Sequence, residues 1–261
     1  MILIGEKLNS SIPRAQQAFE ARDAQTVTEL IRTQAAAGAS FLDVNTAVCA
    51  AGEQAAMLWT IGLIRENCDC GIMIDTADPK VMAAAVQAAG GCPLILNSAT
   101  ITDRFDAVTA LAKESGAAVV GLPIDDDMPH SLEEKCQKLD FLIEKLRAAG
   151  IQDDRIYADV LVETLATDGG SAKSALGAIA YMAENYPDVK TTCGLSNVSF
   201  GLPRRVLINT AFVSAAMAAG LSSAIIDPVS PAMRDAIAAA RVVAGLDDYC
   251  MDYITYIRGN E

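Results

Sequence analysis

An α/β chain closed into a (β/α)8 TIM barrel is what this sequence of 261 residues predicts. Three observations carry that expectation. Short aliphatic runs recur about eight times at spacings of roughly 25 to 40 residues, each followed by an Ala-rich stretch of helical period. The runs are apolar at nearly every position, as strands of a parallel sheet covered on both faces must be. Hydrophobic residues make up 52% of the chain and aromatic residues only 5%, which favours Ala-rich helices on aliphatic strands over an all-β or disulfide-built fold.

The predicted strands, in order, are Ile2-Leu3-Ile4, Phe41-Leu42-Asp43-Val44, Gly71-Ile72-Met73-Ile74, Leu94-Ile95-Leu96 and Ala118-Val119-Val120-Gly121 in the first half. Ile156-Tyr157-Ala158-Asp159-Val160, Thr191-Thr192-Cys193-Gly194-Leu195 and Ala224-Ile225-Ile226 complete the set. Helices fall between them: Thr26 to Ala37 ends at Gly38, Pro79 opens Lys80 to Ala89 before Gly90, and Leu132 to Ala149 stops at Gly150. Proline at the start and glycine past the end is the expected asymmetry of helix termini. A doubly wound sheet shares this alternation, but Gly5-Glu6-Lys7-Leu8-Asn9 after the first strand has no Gly-x-Gly-x-x-Gly cradle for a diphosphate. No low-complexity linker divides the chain, so residues 1–261 read as one domain.

Charge narrows the partners. Lys and Arg number 20 against 33 acids, a net charge of −13, and no basic cluster is longer than Arg204-Arg205. Nucleic acid and anionic membrane surfaces are therefore poor partners. The start of the chain lacks a basic segment followed by a long apolar run, and no apolar stretch approaches spanning length, so the expected location is cytoplasmic. Seven scattered cysteines fit a reducing compartment better than a disulfide framework. Cys68-Asp69-Cys70 is the one close pair, and without a second Cys/His pair it makes no tetrahedral zinc set, so no metal is expected.

Polar residues gather where the apolar runs end. Glu6 and Asn9 come after the first, Asp43 and Asn45 stand at the second, Asp75 succeeds the third and Asn97 the fourth; Asp125 to Asp127 succeed the fifth, Asp159 sits in the sixth, Asn197 succeeds the seventh and Asp227 the eighth. In a (β/α)8 barrel these positions converge on the C-terminal mouth, where active sites lie. Asp and Asn are also common helix caps and turn residues, and that reading is preferred for Asp103, Asp125 to Asp127 and Asp227. Asp75, Asn97, Asp159 and Asn197 abut or interrupt aliphatic strands, where burial is costly without a polar partner. Two carboxylates that accept and two amides that both donate and accept suit a flat heterocycle with neighbouring N–H groups. A pterin meets that description, and so do some purines.

Gly5-Glu6-Lys7-Leu8-Asn9, Leu42-Asp43-Val44-Asn45, Ile74-Asp75-Thr76, Leu96-Asn97-Ser98 and Gly194-Leu195-Ser196-Asn197-Val198-Ser199-Phe200-Gly201-Leu202-Pro203 together resemble one family. It is the methyltetrahydrofolate:corrinoid protein methyltransferases, pterin-binding barrels of the dihydropteroate synthase-like kind that include the folate module of cobalamin-dependent methionine synthase. The resemblance extends through Arg205, Leu207-Ile208-Asn209 and Phe212. It implies that Asp75, Asn97 and Asp159 hydrogen-bond the pterin of tetrahydrofolate or methyltetrahydrofolate, that Asn197 lies near the methyl-bearing N5 as the catalytic residue, and that Ser196 and Arg205 belong to the folate site. Glu6, Asn9, Asp43 and Asn45 stand behind them. Phe200 departs from the Gln of some relatives.

A tertiary amine leaves poorly, so moving a methyl from N5 to cobalt(I) requires positive charge to develop at N5 through a proton or a hydrogen bond. A carboxamide such as Asn197 can accept from N5–H⁺ without a competing charge of its own. His130 lies outside the Asp-x-His-x-x-Gly setting that the family associates with corrinoid-binding modules and reads as a loop residue. The resemblance therefore implies that the cobalamin arrives on a separate corrinoid protein, with transfer in either direction and the enzyme a homodimer. The alternatives are a dihydropteroate synthase-like enzyme, which calls for a late basic motif to hold diphosphate, and a non-catalytic folate-binding barrel.

Overall fold

A computed structural model describes residues 1–49, 52–129 and 131–259. His130 lies outside the described residues. The chain alternates strands and helices: β1 (Ile2–Asn9), α1 (Pro13–Ala21), α2 (Ala24–Ala36), β2 (Phe41–Asn45), α3 (Glu53–Asn67), β3 (Gly71–Asp75), α4 (Pro79–Ala89), β4 (Leu94–Thr100), α5 (Phe105–Ser115) and β5 (Ala118–Leu122). The second half continues with α6 (Leu132–Ala148), β6 (Ile156–Asp159), α7 (Ser171–Asn185), β7 (Lys190–Thr192), a 3-10 turn (Leu195–Ser199), α8 (Arg205–Ala218), β8 (Ser223–Ile226), α9 (Pro231–Val243) and α10 (Met251–Arg258).

The eight strands pair in the order β7-β6-β5-β4-β3-β2-β1-β8, every ladder parallel. β7 and β8 close the ring by a lone bridge between Gly194 and Ile225, where the Ile225 N–H donates to the Cys193 carbonyl at 2.9 Å, and by the Ser223 hydroxyl on the Thr191 carbonyl at 2.7 Å. The predicted (β/α)8 barrel is the fold.

Helix boundaries follow local chemistry. Asp78 caps α4 through the Lys80 N–H, Pro79 opens it, and Gly90 ends it in the left-handed region at φ 59°. Ser131 and Glu134 form a reciprocal capping box at the start of α6. Strand ends differ more from expectation. β7 stops at Thr192, so Gly194 and Leu195 leave the strand, and the chain turns at once into the 3-10 segment through Asn197 N–H to the Gly194 carbonyl at 3.1 Å. β1 and β4 instead run further, so that Glu6, Asn9 and Asn97 lie within strands rather than after them.

Strand alternation builds two cores. Outward side chains pack beneath the helices, while Ile4, Met73, Ile95, Val120 and Tyr157 form a separate apolar floor inside the barrel. Because side chains two apart share a face, the next inward positions above that floor are Glu6, Asp75, Asn97 and Asp159. The bottom of the barrel is thus apolar and its top is polar.

Candidate active site

One cavity of about 550 Å³ opens at the C-terminal mouth, lined by Glu6, Lys7, Asn9, Ser11, Ile12, Asp43, Asp75, Asn97, Asp159, Gly194, Ser196, Asn197, Arg205 and Ile225. Its size suits a small heterocyclic ligand. Of the ten residues expected from sequence, nine line it. Asn45, expected to stand behind the pterin contacts, backs the lining: its amide donates to Asp75 at 2.8 Å and its carbonyl accepts from the Ala47 N–H, so it holds a lining residue in place.

Asn9 reaches the cavity through an irregularity. The β1–β2 register shifts between Gly5 and Leu8. Strict alternation from Ile4 would turn Leu8 inward and Asn9 outward; the bulge reverses them, and Leu8 joins the outer core. A second shift, between Asn97 and Ala99, comes just after Asn97 on β4.

The acids crowd one another. Burial pushes the Asp43 carboxyl well above the usual carboxylate range, with Asp75 and Glu6 adding to it. Its Oδ1 is buried without a hydrogen-bond partner. Glu6 is raised by burial against the opposing hydrogen bond from Ser196, and Asp75 by burial against the Asn45 amide and the Arg104 charge. Asp159 rises by burial to about 6, although the Leu161 N–H, at 2.8 Å from its Oδ1, and Lys135 oppose this. A buried acceptor with no donor and several carboxyls held above their normal range leave this wall short of donors, which an N–H-bearing heterocycle would supply.

The opposite wall is the 3-10 turn. The Ser196 hydroxyl donates to both oxygens of Glu6, at 2.9 and 3.1 Å. Arg205, first residue of α8, donates from Nη2 to the Ser196 carbonyl at 2.6 Å and from Nε to the Ser199 hydroxyl at 3.0 Å, while its guanidinium lies 5.8 Å from the centre of the Phe200 ring. Asn197 sits between these anchors, exposed at the mouth and lining the cavity. Phe200 is 65% exposed and places an aromatic ring on the rim.

Sequence reasoning missed Lys7, which lines the cavity and forms an ion pair with Asp227 at 2.7 Å. Alternation from Ile4 points Lys7 away from the barrel axis, and only the bulge brings it round. Asp227 also accepts from the Val229 N–H, and Asp125 bonds Lys138 and the Asp127 N–H, so both acids act in turns and ion pairs. Among the described residues no cluster of His, Cys, Asp and Glu is arranged to hold a metal ion, and no helix is long and apolar enough to cross a membrane.

A barrel with an acid- and amide-lined mouth defines a class, and the sequence matches it: residues 6–227 fit the family model of pterin binding enzymes, and the chain belongs to that family. A methylcorrinoid:tetrahydrofolate methyltransferase of Eubacterium limosum is 30% identical over 256 residues, covering 97% of this chain and 94% of that protein. Methionine synthase of Mycobacterium tuberculosis is 30% identical over 241 residues, 87% of this chain but 20% of that much longer protein. A dihydropteroate synthase from Coxiella burnetii, solved with pteroic acid, superposes with a TM-score of 0.70 at 22% identity over 95% of this chain and 93% of that one, a likeness of fold.

Proposed function

We propose that this enzyme moves a methyl group between N5 of methyltetrahydrofolate and the cobalt of a separate corrinoid protein, in either direction. The observation that carries the reading is the placement of Asn197 at the open mouth of a cavity whose inner wall is Asp75, Asn97 and Asp159. A 30% identity to a methylcorrinoid:tetrahydrofolate methyltransferase over nearly the whole chain supports it.

In this reading the inner wall grips the amino and N–H edge of the pterin, carboxylates accepting and the Asn97 amide matching either sense. That orientation presents N5 to Asn197. The corrinoid supplies a cobalt(I) nucleophile or a methyl-cobalt donor from outside. The chain's own part is to fix the pterin, to stabilise charge at N5 through the Asn197 amide, and to leave the mouth open so that the two reactants meet in line. Burial raises the Asp159 carboxyl to about 6, nearer to neutrality than an ordinary carboxylate.

A dihydropteroate synthase-like activity has less support. It needs cations free to hold diphosphate, whereas Lys7 is paired with Asp227 and Arg205 is committed to the Ser196 carbonyl and Ser199. The single-domain, cytoplasmic and homodimeric readings rest on sequence and family resemblance. Mixing the chain with cob(I)alamin and methyltetrahydrofolate tests the function: methylcobalamin should form, tracked by its visible spectrum. No spectral change, together with no folate binding by calorimetry, would overturn it.

A further inference from the structure

Lys135 is the anomaly of α6. It is 2% exposed, yet its ammonium makes no ion pair among the described residues; Nζ donates instead to the carbonyl of Leu161 at 2.8 Å. A buried charge without a close counter-ion is costly, so its retention asks for a reason. Leu161 is itself unusual, a non-glycine residue in the left-handed region at φ 52°. Its N–H donates to Asp159 Oδ1 at 2.8 Å. Lysine, strained residue and pocket carboxylate therefore form one chain running from the outer helix layer to the cavity wall.

We propose that Lys135 is a positioning residue for the pterin site: it pins Leu161, which in turn fixes the Asp159 carboxylate, and its charge supports that carboxylate. The proposal rests on the folate reading for its consequence in binding, but not for its geometry. The groups facing the two ends are Glu163, Asp159, Cys136 and Asp168 around Lys135, and Lys135 and Asp75 around Asp159. Lys135 is the cation among those acting on Asp159, and it lowers the Asp159 pKa while Asp75 raises it. Without the lysine, burial and Asp75 act with only the Leu161 N–H against them, and that N–H is no longer held.

The test is a carboxyl ¹³C NMR titration of the whole chain as wild type, Lys135→Met and Lys135→Gln, with Asp159 assigned through Asp159→Asn. Methyltetrahydrofolate affinity is measured across the same pH range by calorimetry. Methionine matches the lysine stem and removes a buried charge, and glutamine keeps a donor without the charge. The Asp159 midpoint should rise by about one unit in both variants. The pH at which folate affinity weakens should move up with it, and the loss at pH 8 should be larger for Met than for Gln. An unchanged Asp159 midpoint in both variants would overturn the proposal. Should neither variant fold, the wild-type Leu161 amide resonance decides: it should titrate with Asp159, and a flat response overturns the link. A shifted midpoint in a chain that binds no folate would sink the functional reading and leave this one standing.

Discussion

The side-chain carbonyl of Gln34 accepts from the backbone N–H of Lys7 at 2.9 Å. Gln34 is buried on α2, and its amide donates to the Leu30 carbonyl at 3.1 Å. The bulge that turns Asn9 and Lys7 toward the cavity falls where the β1–β2 register shifts, and this N–H is answered from outside the sheet. A buried amide left without a partner would cost about 1–3 kcal/mol.

Gly5→Ala should therefore damage both stability and site. A Cβ at Gly5 would overlap the Gln34 side-chain oxygen, displacing the group that holds Lys7. The expected loss is about 1–3 kcal/mol, read as a lower midpoint in urea, with weakened folate binding in the molecules that remain folded. A variant as stable as wild type would show that the bulge does not depend on this contact.

Asn197→Ala tests the reacting end. The residue is exposed and its side chain packs in no core, so the fold should be unaffected. Turnover should fall on the order of 10²-fold or more while folate affinity changes little. Near-normal transfer rates would remove Asn197 from the mechanism.

Ser196→Ala should resemble a weaker Asn197 variant. It breaks the bond to Glu6 while sparing the Arg205 contact to the Ser196 carbonyl, so the turn keeps one anchor of two. Glu6→Gln, which retains an acceptor for the hydroxyl, should keep most of the wild-type rate. A double variant Ser196→Ala/Glu6→Ala no worse than either single change would confirm that the two act as one unit. Strictly additive losses would argue that they act separately.

The pH dependence has a definite sign. Glu6, Asp43, Asp75 and Asp159 all have folded-state pKa values above their ordinary ones. Each favours the folded state while protonated in both states, and that contribution is lost as pH rises from the ordinary carboxylate range through the folded value. For Asp159 the window runs from 3.8 to about 6. The ligand-free chain should thus lose thermal stability as pH rises through this window, and Asp159→Asn should flatten part of the decline. Folate affinity should show the opposite trend, strengthening as Asp159 ionises. A ligand-free melting temperature that climbs steadily over the same range would contradict this crowding of buried acids.

Much of this enzyme was legible in its sequence because local rules acted alone there. Aliphatic runs at regular spacing with capped, Ala-rich helices between them fix a (β/α)8 barrel, and residues at the ends of parallel strands must meet at one mouth. Asp75, Asn97 and Asp159 are direct consequences, since each stands two positions beyond an inward apolar residue of the floor. Tertiary structure alone decided the rest. Asn45 stands at a strand end like the others, yet the β2–β3 register sets it opposite Asp75, so it becomes that residue's partner. Asn9 and Lys7 owe their orientation to a register shift at which the Lys7 N–H is answered by Gln34, 27 residues beyond Lys7 along the chain. Lys135 looks like one more charged residue of an exposed helix until packing buries it. Alternation and capping depend on near neighbours in the chain, whereas bulges, cross-strand partners and buried charges depend on what the fold brings alongside.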